Sequence, residues 1–188
     1  MLRYILFGLP LLFAVPDLKV RWEDVKQQAI HIEVSGQNEI LEDCLKGGLE
    51  VRYRYELQLC RRRTGWFHAC KERKVIMQSM QLDPIAQTYS VVKDRLGDDQ
   101  PQENQTVDTR AEAVGAVSMV DRISLDFLSQ HQPDFATKGD TYVGVRAFGE
   151  CRGEYSELMS KIGYFITFGM VKVSAFNTGW IDFNLTKE

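Results

Sequence analysis

The residues between 60 and 74 carry most of the side chains in this chain that could do chemistry. The segment CRRRTGWFHACKERK holds two cysteines, one histidine, two aromatic residues and six basic residues. These residue types fit three kinds of site: a disulfide-closed hairpin, a metal site built on thiolates and an imidazole, or a basic patch for phosphate groups. The elements that flank the segment decide between these alternatives.

A regular alternation precedes the segment and predicts a hairpin. Apolar and polar residues alternate without a fault from Leu49 to Leu59, which is typical of a half-buried antiparallel strand. Arg63 to Trp66 predicts a turn, after which the chain returns as the second strand. If the loop centres on Gly65, Cys60 lies directly opposite Cys70. The same register pairs three further positions: Glu56 with Lys74, Tyr55 with Val75, and Tyr53 with Met77.

A Cys60–Cys70 disulfide is therefore the first interpretation of the segment. Unpaired buried or surface thiols are a second interpretation. Metal binding is a third, because His68 lies on the same strand face as Cys70, but three donors are too few for a closed structural zinc site and no fourth is near. We expect no metal and no cofactor. Nucleic-acid binding is disfavoured, since alternate basic side chains of a strand point to opposite faces and the net charge is −3. The pairing of Cys44 and Cys151 stays open.

The tip of this hairpin predicts a protein-binding site. Its members are Arg61, Arg62, Arg63, Trp66 and Phe67. Arginine and tryptophan supply many of the anchor residues at protein interfaces. The structural alternative is ordinary packing of Trp66 against the sheet.

The N-terminal segment, residues 1–16, predicts an export signal or a retained N-terminal anchor. Arg3 precedes an uncharged apolar run that ends at Pro16. This run is shorter than the roughly 20 residues of a membrane-spanning helix, and Pro10 interrupts it. We expect a single globular domain over residues 20–186, located in the periplasm or held at the inner membrane by the N-terminal segment alone. An oxidising compartment also allows the four cysteines to pair.

The remaining pattern predicts an α+β fold. Thr109 and Glu112 form a capping-box pattern, and apolar residues follow at near-helical steps as far as Phe127. A short helix is expected before Gly47, strands over 140–151 and 164–176, and a loop over 97–106. The expected architecture is an antiparallel sheet or open sandwich packed against one long helix, with one or two short helices.

Several motifs together resemble a bacterial family. They are ILEDCLKGGLEVRYRYELQLCRRRTGWFHACKERK, MQLDPIAQTYSV, the helix from Thr109, and AFNTGWIDFNL. This combination resembles the exported bacterial proteins catalogued as domain of unknown function number 4390, over about residues 20–185. The resemblance implies an exported bacterial protein and carries no catalytic or binding residues with it.

No reaction motif is present. The chain has no phosphate-binding glycine loop, G-x-S-x-G elbow, H-E-x-x-H helix or paired C-x-x-C sites. Structural roles are expected for His31, His68 and His131. The favoured hypothesis is a non-enzymatic envelope protein that binds or assembles with a partner protein. The alternative is a carrier or enzyme with a lipid or small ligand between the sheet and the Thr109 helix. The inward polar groups for that pocket would be Tyr53, Tyr55 or Tyr89.

Overall fold

Most of the secondary structure in the described residues is β-strand. The computed structural model describes residues 16–24, 28–36, 39–62, 68–94, 102–129, 140–152 and 175–185. Of these described residues, 61% lie in strands and 18% in helices. The predicted α+β fold with one long helix is wrong, because the longest helix in these ranges has nine residues.

The described elements follow one another along the chain as eleven strands and three short helices. The strands are β1 (Asp17–Asp24), β2 (Ala29–Ser35), β3 (Glu50–Arg61), β4 (Ala69–Cys70), β5 (Lys74–Asp83), β6 (Thr88–Lys93), β7 (Glu103–Val107), β8 (Met119–Ser124), β9 (Thr141–Arg152), β10 (Phe176–Asn177) and β11 (Ile181–Asn184). The helices are α1 (Glu39–Lys46), α2 (Arg110–Ser118) and α3 (Leu125–Ser129).

These strands form two antiparallel sheets. The small sheet has the order β1-β2-β8, and the large sheet has the order β10-β9-β3-β5-β6-β7. Two short strands extend the large sheet, since β11 pairs with β9 and β4 pairs with β3. The long strands β3 and β9 pair over twelve residues each and are neighbouring inner strands of the large sheet.

One core joins the two sheets and the helices. It contains Ile30 and Ile32 from the small sheet, and the odd-numbered residues of β3 from Val51 to Leu59 from the large one. Tyr55 is fully buried there, and its hydroxyl donates a hydrogen bond of 2.8 Å to the Val117 carbonyl oxygen at the end of α2. Burial of these apolar faces supplies the main driving force for folding.

The predicted long helix is two helices separated by a strand. The Thr109 capping box is confirmed, with Thr109 Oγ1 accepting from the Glu112 amide. The chain then becomes extended at Met119 and pairs with β2. Val120 and Ile123 are buried at a helical spacing of three because the β2–β8 pairing contains a bulge, which adds one residue between them.

Two other sequence predictions in this region are corrected. The near-helical run of apolar residues predicts one buried helix face; Val117 and Val120 are buried, but Phe127 lies in α3 and is only partly buried. Residues 103–106 were expected to be loop, yet they belong to β7, which is the edge strand of the large sheet among the described residues. Polar residues suit this position, since an edge strand faces solvent.

The hairpin register differs from the prediction by one residue. Cys60 pairs with Cys70 as expected, but Leu57 pairs with Lys74, so the returning chain has one more residue than β3 between these pairs. Because a slip of one residue moves every side chain to the opposite face, three predicted pairs are wrong. The observed pairs are Glu56 with Val75, Tyr55 with Ile76, and Tyr53 with Gln78.

Some predicted features lie outside the described residues. These are the export segment as far as residue 15, most of the strand expected over 164–176, and His131. No helix in the described ranges is long and apolar enough to cross a membrane.

Candidate functional site: an arginine–aromatic sheet face

The face of the large sheet that points away from the core carries clustered arginine and aromatic side chains. Even-numbered residues of β3 lie on this face, and β9 contributes the residues directly opposite them. We call this cluster the arginine–aromatic face. Its members are Arg54, Glu56, Arg73, Arg146, Phe148 and Trp180.

Glu56 is the acidic centre of the face. Its side chain is only 6% exposed, although it lies on the outer side of the sheet. Arg146 donates two hydrogen bonds to Glu56 Oε2, from Nε at 2.9 Å and from Nη2 at 2.6 Å. Arg73 Nη1 lies 3.0 Å from the same oxygen, and Arg54 Nη2 lies 3.6 Å from Oε1. One carboxylate therefore orients three guanidinium groups.

The same guanidinium groups stack on two aromatic rings. Arg54 lies 4.4 Å and Arg146 4.8 Å from the centre of the Phe148 ring. Arg146 also lies 4.6 Å from the Trp180 ring, and Arg73 lies 5.5 Å from it. All four distances are within the range of cation–π attraction. Arginines and rings thus alternate in one continuous row across the sheet.

Exposed apolar side chains complete the surface. Trp180 is 41% exposed, and its ring lies above Gly144, where an added Cβ would be 3.4 Å from the indole. Val75 and Met77 point outward from β5 beside the row and are 47% and 39% exposed. Tryptophan, methionine and arginine are enriched at protein interfaces. The composition of this face therefore suits binding of a partner.

The arginine–aromatic face carries more positive than negative charge. Glu56 and Glu150 offset two of the three positive charges of Arg54, Arg73 and Arg146; the Oε1 atom of Glu150 lies 3.7 Å from Arg54. One positive charge remains in excess among these five groups. Arg73 is the most accessible of the three arginines, with 46% of its side chain exposed. It can reach a carboxylate or carbonyl group of a partner without leaving the Trp180 ring.

The predicted hairpin tip is described only in part. Arg61 is partly buried, whereas Arg62 is exposed and lies 5.4 Å from the Tyr142 ring. Tyr142 also contacts His68, whose Nδ1 is 3.1 Å from the tyrosine hydroxyl oxygen. Arg63, Trp66 and Phe67 lie outside the described residues.

All four cysteines are paired. Cys60 and Cys70 are bonded at the end of the arginine–aromatic face nearest the tip, so their sulfur atoms are not available as thiolate ligands for the alternative metal site. Cys44 in α1 is bonded to Cys151 in β9, a pairing that the sequence left open. This second bond attaches the short helix α1 to the central strands.

A small cavity lies between the sheet and the helices. It has a volume of about 60 Å³ and is lined by α1, α2, Tyr53 and Met80, among others. Ligand pockets usually have volumes of about 300–1,000 Å³. Burial raises the pKa of Tyr53 to about 12 and that of Tyr55 further above its usual value, so both stay neutral. Tyr89 is half-buried. A cavity of this size does not favour the carrier hypothesis.

Comparison with known proteins gives no relative for this chain. No family model, curated protein or solved structure matches it. The site must therefore be interpreted from its own geometry.

Most residues of the arginine–aromatic face were not among the binding residues predicted from the sequence. The alternation in β3 does predict that Arg54 and Glu56 share the wet side of the sheet. Arg146 and Phe148 carry the same alternating signal in β9. What the sequence lacks is the pairing of these two strands, which are about ninety residues apart in the chain.

Proposed function

We propose that this protein is a non-enzymatic binding module of the bacterial cell envelope, and that its arginine–aromatic face binds a partner protein. One observation carries the proposal: oriented arginines lie beside exposed tryptophan, valine and methionine side chains on one sheet face. Fixed side chains lose little conformational entropy on binding, so such a surface is pre-organised for a partner.

The cysteines support a location outside the cytosol. Both disulfides are compatible with an oxidising, exported compartment. The resemblance to exported bacterial proteins and the apolar N-terminal segment favour the periplasm within that class. Cell fractionation tests this part separately: recovery of the full chain in the cytosol with free thiols would contradict it.

Photo-crosslinking in living cells tests the binding face directly. A photoreactive amino acid replaces Val75 or Met77 on the face, and Ile85 serves as the control position. Ile85 is 95% exposed in the turn between β5 and β6 and does not belong to the face. We expect one discrete protein adduct from the two face positions and none from Ile85.

Substitutions on the face then test which side chains carry the binding. Trp180→Ala removes the exposed ring, and Arg73→Ser removes the most accessible guanidinium group. Each should strongly reduce the adduct formed at Met77, whereas Ile85→Ala should leave it unchanged. Equal adduct yields in all three variants, or adducts with lipid alone, would contradict a protein-binding role for this face.

A further inference from the structure

We infer that Glu23, His31 and Asp121 form a binding site for a first-row divalent cation of the zinc class. The site lies on the outer side of the small sheet, so the inference is independent of the proposed function. The chain offers here one imidazole and two carboxylates whose donor atoms all lie within 4.8 Å of one another. Imidazole and carboxylate are common ligands of zinc in proteins.

His31 is unusually buried for its position. It lies in the central strand β2, and its neighbours Ile30 and Ile32 face the core. Since side chains alternate along a strand, His31 points to the outer side, where a polar residue would ordinarily be hydrated. Its exposed fraction is nevertheless only 5%. Residues of the two flanking strands cover the ring.

Two bulges bring these covering residues together. The β1–β2 register slips at Glu23, and the β2–β8 register slips opposite His31, where β8 has the extra residue. Arg122, in the second bulge, has the left-handed φ of 54°. Bulges redirect side chains that a regular ladder would hold apart. Glu23 and Asp121 thereby approach His31 from opposite sides.

The ligand atoms are arranged for a cation. His31 Nδ1 and Asp121 Oδ1 lie 2.5 Å apart and share a hydrogen bond; a bound zinc ion would replace this bond and hold the two atoms about 3.3 Å apart. Glu23 Oε2 accepts a hydrogen bond of 2.5 Å from the Arg122 amide, which fixes the carboxylate while leaving Oε1 available. The Arg122 guanidinium approaches this Oε1 only to 3.8 Å, and its side chain is 88% exposed, so it can swing aside.

A separate observation is that the other imidazole nitrogen of His31 is free, among the described residues, to bind a ligand. The buried imidazole has an incomplete set of partners, since His31 Nε2 makes no hydrogen bond within the part of the chain that the structure describes. Buried polar atoms are nearly always paired, and exceptions call for a ligand, an ion or water. A divalent cation at this position would balance the negative charge of the two carboxylates, whose donor atoms lie within 4.8 Å of each other and of the imidazole donor atom.

The ligand set also selects the type of cation. An imidazole donor favours zinc, copper, iron and nickel over calcium and magnesium, which prefer oxygen ligands only. Three protein ligands leave at least one position for water. Asp121 is 58% exposed, and an open depression lined by Glu23 and Arg122 lies beside it. Solvent therefore has access to the metal from this side.

Calorimetry with Zn²⁺ on the full, disulfide-bonded chain tests the site. The protein is made without a polyhistidine tag and stripped with a chelator. We expect one Zn²⁺ per chain, bound more weakly as the pH falls because protons compete for the ligands. Glu23→Gln and Asp121→Asn should each weaken binding by at least about tenfold, a loss typical of altered metal sites. Glu33→Gln, further along the same face of β2, is the matched control and should bind like the parent.

Spectroscopy of the unaltered chain keeps the test decisive if a variant folds poorly. Co²⁺ at this site should give d–d absorption bands without a sulfur-to-metal charge-transfer band, and Zn²⁺ should shift the NMR signals of His31 but not those of His68. Absence of stoichiometric binding up to millimolar metal would overturn the inference. So would a sulfur charge-transfer band, or binding that persists unchanged when Glu23→Gln and Asp121→Asn are combined.

Discussion

Removal of the Cys44–Cys151 disulfide should destabilise the protein more than removal of the Cys60–Cys70 disulfide. The first bond joins residues 107 positions apart, and the second joins residues 10 positions apart. A cross-link stabilises chiefly by restricting the unfolded chain, and this effect grows with the length of the closed loop. Chain-entropy reasoning gives about 4.7 kcal/mol for the long loop and about 2.7 kcal/mol for the short one.

Two double variants make the comparison: Cys44→Ser with Cys151→Ser, and Cys60→Ser with Cys70→Ser. Serine is close in size to cysteine, so neither double variant leaves a large cavity. Urea unfolding at equilibrium measures the free energy of unfolding of both variants and the parent. Domains of this kind have about 5–15 kcal/mol of stability in total. Loss of the long-loop bond should therefore remove roughly a third of this stability at the upper end of the range and nearly all of it at the lower end.

The order of the two losses is the decisive result. If the Cys60–Cys70 variant loses as much free energy as the Cys44–Cys151 variant, loop length does not control the effect, and native contacts around the shorter bond must be stronger than we infer. A reduced parent chain should behave like both variants combined. If it keeps the stability of the oxidised chain, the entropic argument fails for both bonds.

Three further substitutions test packing and electrostatics. Glu56→Gln should lower the free energy of unfolding, measured with urea, by about 2–3 kcal/mol. This loss is smaller than for a fully buried ion pair, because the arginine partners of Glu56 are partly exposed. An unchanged unfolding midpoint would contradict the central role of this carboxylate. The pKa of Tyr53 is raised to about 12 in the folded chain, so the folded state binds more protons above pH 10, and stability should fall as the pH rises from about 10 to 12. Tyr53→Phe should reduce this loss of stability between pH 10 and 12. An equally steep loss in the variant would show that Tyr53 does not cause it. Gly149→Ala places a Cβ 2.2 Å from the Phe176 ring and should cost about 1–3 kcal/mol by overpacking, whereas a neutral result in thermal unfolding would mean that the ring moves freely.

The strands with strict alternation could be predicted from the sequence, but the segment after α2 could not. A period of two identifies β3 because no bulge interrupts it between Val51 and Leu59. In β8 the bulge adds a residue between Val120 and Ile123, and the resulting spacing of three is also the spacing of a helix. Pairing with β2, a contact distant in the chain, decides between the two, and a local pattern contains no information about it.

A local sequence pattern also could not predict the arginine–aromatic face, because the face depends on one inserted residue in the hairpin. The regular hairpin register predicts an ion pair between Glu56 and Lys74. The extra residue after Cys70 instead turns Lys74 to the inner side, where its Nζ lies 5.3 Å from the Phe127 ring. Arg73 takes the outer position and reaches Glu56 at 3.0 Å. An arginine stacks on an aromatic ring better than a lysine does. Because of this bulge, Glu56 pairs with Arg73, which also stacks on Trp180, and not with Lys74. The bulges beside His31 act in the same way, since they bring together side chains that a regular sheet would separate. Both candidate sites of this protein thus depend on register irregularities that alternation alone does not reveal.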